Sequence, residues 1–191
     1  VTVLAIREIG DPVLRERSRE VSSEELATPE TQRLIDDMIE TMREAGGAGV
    51  AANQVGEVVR IAVAEVSGQN PRYPYKPEIP LTVFVNPVIE PIGEVAALIN
   101  EGCLSVPGVR AEVPRRLEVR VRYVDRDGTE RVELKRGLTA GTFQHEVDHL
   151  DGILIVDRAD SESLSSWESY ERFHRDDFER RALEIVERYG Q

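Results

Sequence analysis

The chain has 191 residues, 40% of them hydrophobic and 31% charged, with a net charge of −12 and a single cysteine. That balance fits one globular domain with a sizeable core and excludes a disordered chain. The acidic excess argues against nucleic acid as a main partner, one cysteine rules out an internal disulfide and suits a reducing compartment, and no apolar run approaches the ~20 residues that span a bilayer. With no basic segment leading into a hydrophobic stretch at the start, a cytoplasmic location is expected.

In chain order, Thr28 and Pro29 open a helix as N-cap and first residue. Leu34, Ile35, Met38, Ile39 and Met42 form its apolar stripe, and Gly46 stops it. The run from Gly46 to Gly56 is rich in small residues. It superficially fits a dinucleotide fingerprint, but that motif follows a strand and this run follows a helix. Residues 60–66 and 81–89 read as strands, with a Pro-rich loop over 69–80 between them. Residues 117–124 and 131–135 alternate in polarity about Asp127-Gly128, a hairpin pattern. A helix follows Gly137, with Ala140, Phe143, Val147 and Leu150 on its apolar side and Gly152 past its end. The tail reads as one amphipathic helix over Trp167, Tyr170, His174, Phe178, Ala182, Ile185 and Tyr189. The expected fold class is α+β, with residues 1–160 as the catalytic domain and 161–191 packed on that domain or on a partner; truncation after Asp160 is expected to lower stability or change oligomeric mass but to spare the active site.

The chemistry concentrates in His145-Glu146-Val147-Asp148-His149. On a helix, two imidazoles four residues apart share one face and can grip one metal ion. Glu146, beside the first, can reach a water on that ion, which is what metal-assisted hydrolysis needs. The longer form of this motif has a third histidine six residues on; here that position is Ile155. The remaining soft donors are Cys103 and His174. An isolated cysteine usually reads as a small buried hydrophobe. The stretch Glu101-Gly102-Cys103-Leu104-Ser105, however, is polar and turn-like, a loop or strand edge able to carry a thiolate to the helix. His174 lies on the tail's apolar stripe and reads as a packed residue, not a ligand.

Three segments together resemble the peptide deformylases, metal-dependent amidases that remove formate from N-terminal formyl-methionine. They are Gly47-Ala48-Gly49-Val50-Ala51-Ala52-Asn53-Gln54, Glu101 to Ser105, and Gln144 to His149, in the family's order, with Gly10 to Leu14 similar to its N-terminal region. The resemblance spans roughly residues 6 to 158. It implies mostly antiparallel sheets around a central metal-binding helix, with a C-terminal helix. It implies Cys103, His145 and His149 as ligands of one divalent ion, Fe²⁺ in the cell, with Zn²⁺, Ni²⁺ or Co²⁺ in a purified sample. Glu146 takes the general-base role, and the Gln54 amide and the Leu104 N–H stabilise the oxyanion. Ala48, Gly49, Gly102, Leu138, Gly141 and Thr142 match substrate-binding positions. Arg115 is the expected partner of Asp148. The implied partners are formyl-methionyl nascent peptides and, transiently, the ribosome, with no nucleic-acid specificity and no membrane.

Two features depart from the family pattern. Gly141 and Ala48 are smaller than usual, which points to a roomier or differently filled side-chain pocket. The tail, with eight acidic and five Arg residues from 161 to 191, carries a net charge of −3 where some relatives have a basic helix for the ribosome. Two other readings remain at this level: a zinc endopeptidase on the same two-His helix, and a metal-stabilised binding module. The first leaves Cys103 and Gln54 unexplained. The second normally fills all four ligand positions with protein groups.

Overall fold

The computed structural model describes residues 1–68 and 74–190. Helices are α1 (Ser23–Leu26), α2 (Pro29–Glu44), α3 (Gly137–Leu150), α4 (Ile155–Arg158), α5 (Trp167–Phe173) and α6 (Arg175–Tyr189). Strands are β1 (Gly49–Ala51), β2 (Ile61–Val66), β3 (Ile79–Pro91), β4 (Ala96–Cys103), β5 (Val106–Arg116), β6 (Glu118–Val124), β7 (Glu130–Arg136) and β8 (Ser165–Ser166). One antiparallel sheet has the order β1-β2-β3-β6-β7, and a smaller one β4-β5-β8.

The larger sheet is covered on both faces, and side-chain alternation along its strands assigns each face. In β2, Ile61 and Val63 meet the α2 stripe of Ile35, Met38, Ile39 and Met42. Ala62 and Ala64 turn the other way, with Phe84, Val119 and Val121, toward Phe143, Val147 and Leu150 of α3. Small alanines on that face let the helix approach closely. α3 is buried almost all round, as expected of a helix held between two sheets and not lying on a surface. At its C-terminal end, carbonyls that a helix leaves unpaired are taken by the N-terminal third of the chain. Asn53 Nδ2 donates to His149 O at 2.5 Å and Ser18 N to Leu150 O at 2.8 Å.

Several expectations need adjustment. Thr28 caps α2 by accepting from Thr31 N, as read, and Gly46 follows it with φ +61°. Of the expected loop over 69–80, residues 69–73 lie outside the described residues, and Ile79 and Pro80 already belong to β3. The long hairpin β4–β5 was not expected beyond the edge carrying Cys103. Gly137 is the first residue of α3 and not its predecessor, with φ +52°. The tail is two helices, because the chain breaks at His174 (φ −123°, ψ −20°), which is exposed and not packed. Tyr170, Phe178 and Ala182 nonetheless bury against Tyr75, Ile99, Leu117 and Leu138 of the same chain.

Candidate metal centre

α3 presents His145 and His149 on one face because they are one turn apart. β4 delivers Cys103 at its last residue, where the register with β5 shifts between Gly102 and Cys103. Cys103 Sγ lies 3.2 Å from His149 Nε2, which lies 3.2 Å from His145 Nε2, and the three donor atoms fall within 4.8 Å of one another. Metal–nitrogen distances of about 2.0–2.1 Å imply tetrahedral edges of about 3.3–3.4 Å, so the donor set fits one ion, with no fourth protein donor grouped with it among the described residues. All three residues are largely shielded from solvent.

The carboxylate of Glu101 fixes the tautomer of His145. Its Oε2 is 2.8 Å from His145 Nδ1, so Nδ1–H donates there and Nε2 keeps its lone pair for the centre. Glu101 also takes a forked pair from Arg115, at 2.7 and 2.9 Å. Arg115 reaches Asp148 Oδ2 at 2.5 Å, the partner expected for that carboxylate, and Arg158 closes the other side of Asp148. Burial opposes ionisation of Glu101, but Arg115 and then His145 outweigh it and hold its pKa well below the usual range. Burial likewise works against charge on His145, yet contacts with Cys103 and Glu101 raise its pKa well above the ordinary value. His149 is pushed well below that value by burial first and His145 second, which keeps it a neutral donor.

Glu146 shares the cleft with Cys103 and His145 and packs against Gly49 of β1. A Cβ on Gly49 would sit 2.3 Å from Glu146 Oε1, so only glycine leaves the carboxylate its place. Burial raises the Glu146 pKa to about 7, and its Oε2 is buried with no hydrogen-bond partner among the described residues. A carboxylate poised near neutrality beside a metal ligand set has the character of a proton carrier. Gln54 is held from both ends: its Oε1 accepts from Ala51 N at 2.9 Å and its Nε2 donates to Ser105 Oγ at 3.0 Å. Leu104 follows Cys103 in the turn between β4 and β5.

One cleft, with about 560 Å³ of empty space partly open to solvent, gathers Ala48, Gly49, Gln54, Gly102, Cys103, Leu104, Leu138, Gly141, Thr142, His145 and Glu146. His149 stands behind them against Cys103. The pocket beside Gly141 is filled differently, not roomier: a Cβ there would come 2.9 Å from Ile99 Cδ1, so Ile99 already occupies the space. Ala48 is a buried core residue. Sequence reasoning missed Lys76 and Arg110, which also line the cleft. Lys76 Nζ donates to Thr142 Oγ1 at 2.9 Å, and burial pushes its pKa down to about 8 against the pull of Glu101. Arg110, fully buried, binds Asn100 Oδ1 at 2.6 Å and lies 4.2 Å over the Tyr170 ring. Neither carried a signal. Lys76 sits in a Pro-rich loop, and an isolated Arg on a strand reads as a surface residue.

Comparison with known proteins agrees with this geometry. The polypeptide deformylase family model matches residues 3–165. A peptide deformylase of Leptospira biflexa is 42% identical over 164 residues, 86% of this chain and 92% of that one. The crystal structure of a class I type b peptide deformylase from Acinetobacter baumannii with Met-Ala-Ser bound superposes with a TM-score of 0.79 at 39% identity, covering 82% of this chain and 98% of that one. A Synechococcus elongatus peptide deformylase in complex with actinonin gives 0.73 at 32%, over 98% of this chain and 86% of that one. With its Cys-His-His cluster, its buried glutamate and the match along most of its length, the chain belongs to the peptide deformylase family, the hydrolases that remove N-terminal formyl groups.

Proposed function

We propose that Cys103, His145 and His149 hold one divalent ion, Fe²⁺ in the cell, and that Glu146 is the proton-transferring group acting on formyl-methionyl ends of nascent chains in the cytoplasm, with only transient ribosome contact. The convergence of three donor atoms within 4.8 Å, beside a glutamate with a pKa of about 7, carries this reading. The bound ion supplies Lewis acidity and a water of lowered pKa. Glu146 takes a proton from the attacking water and later gives it to the departing amine nitrogen, so its carboxylate ends as it began. The Gln54 amide and the Leu104 N–H point donors at the formyl oxygen as negative charge develops there, a term worth several kcal/mol in such sites. Ala48, Gly49 and Gly102 let the substrate backbone lie close, and Leu138, Gly141 and Thr142 border its first side chain. The Met-Ala-Ser held by the Acinetobacter relative supports a peptide N-terminus in this cleft. Residues 1–160 carry the chemistry and 161–191 form an accessory segment.

Glu146→Ala is expected to keep its metal while kcat for formyl-Met-Ala-Ser falls by roughly 10²–10⁴-fold. Formate release read beside metal content decides it: a variant with bound metal and more than a tenth of normal kcat removes Glu146 from the role. Metal identity has its own test. Anaerobically prepared iron enzyme is expected to be active and to fail quickly in air as the ion and the Cys103 thiolate oxidise, while the nickel form persists. Cys103→Ser is expected to weaken binding of either ion, since a neutral hydroxyl replaces a soft anion. An air-stable iron form together with full metal affinity in Cys103→Ser would remove the thiolate from the ligand set.

A further inference from the structure

The chain has 24 basic residues, and only Lys76 and Lys135 among them are lysines. Lys76 is the one that lines the cleft. Its ammonium donates to the Thr142 hydroxyl at 2.9 Å, and that hydroxyl in turn donates to the Leu138 carbonyl at 3.3 Å, which fixes its lone pairs toward Lys76. The neighbouring Tyr75 anchors this segment. It is buried, its ring meets Phe178 edge-on at 5.1 Å, and its hydroxyl accepts from Arg110 at 3.4 Å. The ammonium is therefore held on a packed segment and does not swing from a loose one. Leu138, and Ile99 in the space that Gly141 leaves open, give this part of the cleft an aliphatic wall, while Tyr75, Asn100, Glu101 and Arg110 also line it.

A cleft with an aliphatic wall and an ammonium–hydroxyl pair beside it suits a side chain with an unbranched apolar stem and a strong acceptor near its tip. A thioether sulfur is only a weak acceptor, and norleucine has none. Methionine sulfoxide has the stem of methionine and a polar S=O oxygen. A lysine provides a compact point charge with three donors, where an arginine would bring a planar fork. We propose that Lys76 is a specificity-determining residue and that this cleft takes N-formyl peptides whose first side chain ends in a hydrogen-bond acceptor, with formyl-methionine sulfoxide as the representative substrate. The inference rests on the proposed placement of the first side chain beside Leu138, Gly141 and Thr142. It extends that reading to a polar substrate class.

The test measures kcat/KM for formate release by the metal-loaded full chain on three peptides that differ only in the first residue: formyl-methionine sulfoxide, formyl-methionine and formyl-norleucine, each followed by Ala-Ser. The unaltered enzyme is expected to favour the sulfoxide over norleucine by at least about tenfold, the scale of a hydrogen bond from a charged donor. Lys76→Met, which keeps the stem and removes the charge, is expected to erase that ratio, and Thr142→Val, which leaves the ammonium, to retain a preference for the sulfoxide. Equal or better use of norleucine by the unaltered enzyme overturns the proposal while leaving the deformylase reading intact, and does so whether or not Lys76→Met folds. A ratio kept in Lys76→Met but lost in Thr142→Val overturns it as well, by moving the donor from Lys76 to Thr142. No formate from any of the three peptides overturns the reading of the active site and this inference together.

Discussion

At the scale of single residues, the site depends as much on side chains that are absent as on those present. Gly49 has no Cβ where Glu146 Oε1 lies 2.3 Å from the position one would take. Gly49→Ala is therefore expected to move the carboxylate, lowering kcat by tenfold or more while metal content stays full. Unchanged kcat in a metal-replete Gly49→Ala enzyme would show that Glu146 has room to spare. The Cys103–His145–His149 cluster was legible because the chemistry of a two-His helix leaves a periodic mark and the chain has few other soft donors. In the sequence, Glu101 stands out only as the first residue of the Glu-Gly-Cys stretch. Its work of aligning His145 Nδ1 and meeting Arg115 depends on a pairing across the β4–β5 hairpin that no local pattern announces. Lys76 was invisible for the same reason, since its significance comes from a contact with Thr142, 66 residues away in the chain.

At the scale of elements, Arg115 is the join between the smaller sheet and the metal helix. It lies on β5, forks onto Glu101 of β4 and reaches Asp148 of α3, and it is only 3% exposed. Two carboxylates are buried around one guanidinium, so removing it leaves Glu101 only His145 and Asp148 only the more exposed Arg158. Arg115→Met is expected to destabilise the fold by about 3–5 kcal/mol, read as a lowered urea midpoint with unchanged slope. A loss under about 1 kcal/mol would mean that solvent or Arg158 compensates both acids. The elements themselves were unevenly legible. α2 and the β6–β7 hairpin carry full periodic patterns and caps, and they were read to within a residue or two. The β4–β5 hairpin carries Glu, Gly, Pro and buried Arg along its length, because it lines a polar site on one side, and this breaks the alternation by which strands are recognised.

At the scale of the whole molecule, the acidic tail contributes to the back wall of the cleft. Tyr170 and Phe178 pack on Tyr75, Ile99 and Leu138, three residues that line it, and Tyr170 stacks beneath Arg110. The expectation that the tail could be removed without touching the active site is therefore replaced by a sharper one. Truncation after Asp160 is expected to cost several kcal/mol of stability, Phe178 alone contributing roughly 1.5–3, and to raise KM for formyl peptides. A truncated chain with unchanged KM and urea midpoint would show the packing to be idle. No local pattern hints at this coupling, because an amphipathic stripe reveals that a face is buried and not what it is buried against. The break at His174 was equally hidden: the apolar spacing continues across it, while the backbone does not.

The hydrogen bond from Asn53 to the carbonyl of His149 joins residues 96 apart, and the contacts of Gln54 and His149 with Cys103 span 49 and 46 residues. During synthesis the glycine-rich segment, the thiolate strand and the two-His helix leave the ribosome in that order, so the first two must wait for the third. Until His149 has emerged, the chain can offer at most an incomplete set of donors. The cluster of donors can thus close only after residue 149 has emerged, once the long loops that such distant pairings demand have formed.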